Sequence, residues 1–163
     1  MNSKIEYSEV INIFIPILIL TTVYILQYIY LMDPCEMCIN ERYPYFILIF
    51  IGFFTFLFKK YKNIKFTLVI LSTFTILVGI VYTLRHVGIE RGLIKSTSIC
   101  TNTLDANSTS ELLTIIENTP LIRCDQPALL FNFVSLAELN LIAMFTLLIL
   151  NLFLLKEFRK NDS

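Results

Sequence analysis

The residues of this chain that could do chemistry are few and grouped. Cys35 and Cys38 form a C-x-x-C within the stretch DPCEMCINER, residues 33–42, and Arg42 follows the second sulfur by four positions. Two more cysteines, Cys100 and Cys124, lie far along the chain, and His86 is the single histidine. A C-x-x-C is either a redox-active dithiol or half of a metal site. A zinc site would have to recruit Cys100 and Cys124 as its remaining ligands. Their wide separation, without a second C-x-x-C, speaks against that, and no metal is expected. A purely structural bridge between Cys35 and Cys38 would close so short a loop that it contributes little chain entropy, which also favours the redox alternative. Taken together, the four cysteines read as two redox pairs or as two structural staples.

Asp33-Pro34-Cys35-Glu36 reads as a helix start, with Asp33 as N-cap, Pro34 in the first turn and Glu36 completing a capping box. Both thiols then sit in the first turn, on one face, where free N–H groups and the positive helix end stabilise a thiolate. Arg42 falls one turn deeper on that face. Its fixed charge favours a Cys38 thiolate and leaves donors for a polar group on a ligand; its plainer role is an interfacial side chain that snorkels. Glu41 points elsewhere, to pair with Arg42 or another outer residue. His86 could hydrogen-bond a carbonyl of a bound ligand or donate a proton. By itself it reads rather as a polar residue at a lipid interface.

Four apolar runs must position these residues: Val10 to Met32, Ile39 to Phe58, Phe66 to Leu84, and about Leu136 to Leu155. Each approaches the ~20 residues a helix needs to cross ~30 Å of hydrocarbon, and none alternates as a barrel strand would. The chain has 163 residues, 56% of them apolar, with no formal net charge, and its mean hydropathy is +0.71. A soluble domain needs more charged surface, and a nucleic-acid binder needs a basic excess. The expected fold is therefore all-α: a four-helix transmembrane bundle forming one domain over 1–163, with spans at about 10–32, 34–58, 66–85 and 136–155. The first run is too long for a cleavable signal and lacks a small-x-small site, so it should remain as a span, bent at Pro16.

Lysine and arginine set the orientation. Lys4, the KKYKNIK connection (Lys59, Lys60, Lys62, Lys65) and Lys156, Arg159 and Lys160 fall on one side of a four-span chain, the cytoplasmic side, with both termini. DPCEMCINER and a long loop at about 86–135 are left for the outside. All four cysteines then face an oxidising compartment. Within the loop, Ser108 and Glu111 form a second capping box ahead of Leu112, Leu113, Ile115 and Ile116. This predicts a short amphipathic helix, ended by Asn118 to Pro120, lying on the membrane surface or on the bundle top. Asn107-Ser108-Thr109 matches a glycosylation sequon and is read as chance.

PCEMCINER after a first span, the lysine-rich connection, the Arg85-His86 pair, and RCDQPALLFNFVSLAELN before the last span together resemble the disulfide bond formation protein B (DsbB) family over nearly the whole chain. SLAELN is similar to that family's Ser-Leu-Pro-Glu-Trp segment, with Ala137 and Leu139 in place of the proline and tryptophan. The resemblance implies a quinone-dependent thiol oxidoreductase in the bacterial inner membrane that reoxidises a periplasmic, thioredoxin-like DsbA-type partner. Carried over by position, Cys100 would form the mixed disulfide with the partner and Cys124 would be its bonded mate. Cys35 would exchange with that pair, and Cys38 would be released to meet ubiquinone or menaquinone. Arg42 would hold the quinone and His86 would assist. Three rivals differ in what they require. A conduit carrying reducing equivalents outward needs cysteines inside spans. A vitamin K epoxide reductase-like oxidase places its C-x-x-C late in the bundle. A non-catalytic membrane protein would use its disulfides only structurally.

Overall fold

A computed structural model of the chain describes residues 3–58, 60–94 and 134–160. The described residues form five helices: α1 (Ser3–Tyr28), α2 (Glu36–Asn40), α3 (Tyr43–Leu57), α4 (Lys62–Glu90) and α5 (Leu136–Lys160). The four long ones pack as a ring in which α1 touches α3 and α5, and α4 touches α3 and α5. α2 is a single short turn of helix that caps one end. Cys100, Cys124, the predicted surface helix over 108–116 and the sequon lie outside the described residues.

The ring exposes large apolar side chains on its outside and buries several polar ones beside its apolar core. Phe14, Leu18, Phe50, Phe74, Val81, Phe145 and Ile149 point outward. Thr55, Ser72, Thr75, Thr83 and Asn151 are buried. Ser72 donates to Asn151 Oδ1 at 2.6 Å, and Asn151 Nδ2 donates across to Asn12 at 3.3 Å. Such an exterior is stable against lipid, where polar side chains must satisfy one another between helices. α4 and α5 are each long and apolar enough to cross a membrane, and Asn12–Tyr28 is a shorter apolar helix.

Close approach of the helices depends on glycine at two places. A Cβ at Gly79 would lie 2.9 Å from Met144 Cε and 3.3 Å from Pro44 Cβ, and one at Gly52 would collide with Ile13. Leu20, Tyr45, Leu48, Ile76, Ile80, Met144 and Leu147 fill the core between them. At the far end, Lys65 is buried with its ammonium 5.7 Å from the ring centre of Phe158.

Three expected boundaries shift, and each shift matters for the chemistry. The second span does not start at Pro34 and run on to residue 58. Its first part is the separate α2, whose N-cap is Cys35, not Asp33. Pro44 explains the break: it has no N–H to bond the Asn40 carbonyl, and its ring would strike that carbonyl in a continuous helix. α4 continues past 85 to Glu90, which gains one more turn above the apolar run. α1 ends at Tyr28, and the chain leaves it through Leu31 at φ 51°.

Candidate active site

Cys35 caps α2 with its own side chain. Its Sγ accepts the Cys38 backbone N–H at 3.3 Å, as a serine or aspartate oxygen does at other helix starts. That geometry folds the two side chains together, leaving the sulfurs 2.9 Å apart as free thiols. Cys35 is buried and Cys38 is partly exposed.

Behind Cys35 stands His86, its Nε2 3.7 Å from the sulfur. His86 is only 2% exposed, so it is not the lipid-interface residue that the sequence pointed to. The extra turn of α4 carries it inward over the C-x-x-C. On the other side of the ring, His86 Nδ1 lies 2.7 Å from Glu41 Oε1. With Nδ1–H donated to that carboxylate, a neutral ring would present its Nε2 lone pair to Cys35. Asn140 Nδ2 donates to the second Glu41 oxygen at 2.7 Å and to Thr83 Oγ1 at 3.1 Å. The Tyr45 hydroxyl donates to Asn140 Oδ1, and Thr83 donates to the Gly79 carbonyl at 3.0 Å. The series Cys35–His86–Glu41–Asn140 thus draws on α2, α4 and α5, with α3 bracing it. It has the logic of a nucleophile, a base and an orienting acid.

The two thiols are electrostatically unequal. Donation by the Cys35 thiol holds Cys38 below the ordinary thiol range. The same hydrogen bond to Cys38, together with burial, pushes Cys35 up to about 12, against a lowering by His86. Cys38 is therefore the more acidic thiol of the pair and Cys35 the less acidic.

Arg42 lies beyond α2, which ends at Asn40, in the turn that joins it to α3. Arg42 turns to α1: Nη1 donates to Gln27 Oε1 at 2.7 Å, and the guanidinium lies 5.0 Å over the Tyr24 ring. Its buried Nε has no partner among the described residues. Glu41, read as pairing with Arg42 or another outer residue, is the acid behind His86. Sequence reading missed Gln27, Tyr45, Thr83, Glu90 and Asn140. Glu90 follows His86 at i+4, a spacing visible once the helix is allowed to run on. Asn140 stands out only as a polar residue entering an apolar run. Ser135 and Glu138 make a reciprocal capping box at the start of α5 (3.1 and 3.2 Å), and Arg91 pairs with Glu138. Together they fix the end of α5 that carries Asn140.

An outward-apolar helical bundle with a buried histidine–carboxylate pair against a C-x-x-C dithiol defines a membrane protein with the equipment of a disulfide oxidoreductase. Residues 8–154 match the family model for disulfide bond formation protein DsbB, and the chain belongs to that family. It is also 30% identical over 149 residues to an uncharacterized protein, RP370, of Rickettsia prowazekii (strain Madrid E), covering 90% of this chain and 85% of that one. No solved structure matches it significantly.

Proposed function

We propose that this protein reoxidises a DsbA-type thioredoxin-like protein in the periplasm and delivers the electrons to membrane quinone. The observation that carries the reading is the unequal dithiol at 2.9 Å with His86 and Glu41 behind its buried member. Family membership supports the direction of electron flow.

In this reading the reduced partner attacks Cys100 and displaces Cys124. Cys124 then attacks Cys35 in the Cys35–Cys38 disulfide and frees Cys38 as a thiolate. Each exchange is an in-line attack of a thiolate on a sulfur, so one pair must travel to the other. Resolution of the mixed disulfides leaves the partner oxidised, Cys100–Cys124 rejoined and Cys35/Cys38 as the dithiol. Bound quinone supplies the sink for two electrons and two protons. Electrons leave through Cys38, the more acidic thiol of the pair. The Cys35 thiol passes its proton to His86 Nε2, and its sulfur closes on Cys38 to restore the disulfide. Glu41 holds the imidazole in the accepting tautomer and stabilises the imidazolium that results. Arg42, with its unpartnered Nε beside the Tyr24 ring, fits a carbonyl oxygen of a planar acceptor. A DsbA-type donor is a strong oxidant, at about −120 mV, so an acceptor at membrane depth with a well higher potential is needed to keep it oxidised.

The termini and the lysine-rich connection are cytoplasmic in this proposal, with the C-x-x-C end facing the periplasm. The test is turnover by the purified full chain in detergent, with a reduced DsbA-type protein and a soluble quinone. We expect quinone loss matched by partner oxidation, and Cys38→Ser to abolish both. Full turnover by Cys38→Ser would refute the assignment. A Cys124→Ser form should accumulate a reductant-sensitive adduct with the partner through Cys100.

A further inference from the structure

The reduced site contains more ligand chemistry than electron transfer requires. Cys35 Sγ, Cys38 Sγ and one ring nitrogen of His86 all lie within 4.8 Å of one another. Donors around a tetrahedral zinc, at about 2.3 Å for sulfur and 2.0–2.1 Å for nitrogen, are separated by about 3.5–3.8 Å. The Cys35 Sγ–His86 Nε2 distance of 3.7 Å already meets that spacing. The sulfurs, at 2.9 Å, need to spread by only about 0.8 Å to do so.

A fourth donor lies beside His86, outside that three-atom cluster, and has to swing in to complete a tetrahedron. Glu90 Oε1 is 3.7 Å from His86 Nε2, and the Glu90 side chain is only 5% exposed. Its other oxygen, Oε2, is buried with no hydrogen-bond partner among the described residues. A carboxylate oxygen in that state is costly and calls for a counter-ion or donor. Behind the histidine, the Nδ1–Glu41 contact at 2.7 Å is the carboxylate–histidine arrangement that fixes imidazole ligands at zinc centres.

We propose that the reduced C-x-x-C, His86 and Glu90 form a four-coordinate zinc site, with two thiolates, one imidazole and one carboxylate, that exists only while the dithiol is unpaired. The zinc ion displaces one proton from each thiol and is held by the Cys35 and Cys38 sulfurs, the His86 Nε2 and a Glu90 oxygen. No electron is exchanged in that step. With both sulfurs on the metal neither can attack the other, so occupancy arrests disulfide formation until the metal leaves. Soft thiolate and imidazole donors in tetrahedral array select zinc over calcium or magnesium. The ligand set differs from the four-cysteine site weighed from sequence: the third and fourth donors come from α4, one helical turn apart. The arrest of turnover rests on the proposed thiol oxidase activity; metal binding itself does not.

The experiment uses full chain carrying Cys100→Ser and Cys124→Ser, so that only one thiol pair remains, reduced with a phosphine in detergent. Zinc is added, excess is removed by desalting, and retained metal is measured by mass spectrometry, with cobalt(II) as a spectroscopic probe. We expect one equivalent retained by reduced protein and none after oxidation of Cys35 and Cys38 to the disulfide. The cobalt form should show thiolate charge-transfer absorption and a tetrahedral visible spectrum. Cys35→Ser should lose the site, Glu90→Gln should weaken it at least tenfold with Glu90→Asp restoring part, and Glu41→Gln should weaken it by about 10–100-fold. Retention of less than a tenth of an equivalent, equal retention by oxidised protein, or an unchanged affinity in both Cys35→Ser and Glu90→Gln would overturn the site. The wild-type chain separates the two readings: turnover without zinc retention sinks the metal site alone. Zinc retention by a chain that never turns over sinks the oxidase reading and leaves the site standing.

Discussion

His86→Gln is the sharpest probe of the proposed chemistry. Glutamine can keep a hydrogen bond to Glu41 while removing the base that faces Cys35 at 3.7 Å. The hydrogen bond to Cys38 and burial push the Cys35 thiol up to about 12 even beside His86, so little of it is ionised at neutral pH. Closure of the disulfide needs that sulfur as a nucleophile, so a positioned base should contribute on the order of 10^2–10^4 in rate. The assay is single-turnover reoxidation of pre-reduced Cys100→Ser/Cys124→Ser protein by excess soluble quinone. Quinone absorbance is read in parallel with thiol content by alkylation. At pH 7 the variant should be slower by about 10^2-fold or more. A variant within threefold of the parent at pH 7 would refute the proton relay. It would leave the dithiol itself untouched.

Other outcomes follow from the same contacts. Asn140→Leu strips a donor from Glu41 and the acceptor from the Tyr45 hydroxyl; at about 1–3 kcal/mol for each orphaned group, thermal unfolding in detergent should register a loss of about 2–6 kcal/mol. Gly79→Val must displace Met144 and Pro44, costing about 1–3 kcal/mol, and adding Met144→Ala should recover part of it in the same melt. Asn151→Leu breaks the buried links to Ser72 and Asn12 and should weaken the bundle by only about 0.6–1.7 kcal/mol, the usual worth of such bonds in membranes. A membrane-impermeant thiol reagent should label Cys38 from the periplasmic side of intact cells; labelling restricted to inverted vesicles would reverse the proposed orientation.

Much of the protein was legible in the linear chain because lipid imposes a one-dimensional rule. Roughly 20 apolar residues make a span whatever its neighbours are, so the long helices could be read directly. The C-x-x-C spacing is equally local, and so is the Ser135–Glu138 capping box, although the sequence reading did not single it out. Pro44 was also local: its missing N–H splits α2 from α3, and attention to it would have ended the helix where it ends. What the chain could not disclose is which polar residues meet. His86 and Glu41 are 45 positions apart, and Glu41 and Asn140 are 99 apart. Their partnership depends on the rotation of α4 and α5 about their own axes, set by packing at Gly79 and Met144. Hydropathy marked out the four long apolar segments, but not the break that sets Cys35 and Cys38 on the separate α2. Only the packed ring decided that Cys35 would face a histidine, and that Arg42 would turn away to α1, because a side chain's neighbours across a bundle follow from helix rotation and not from spacing in sequence.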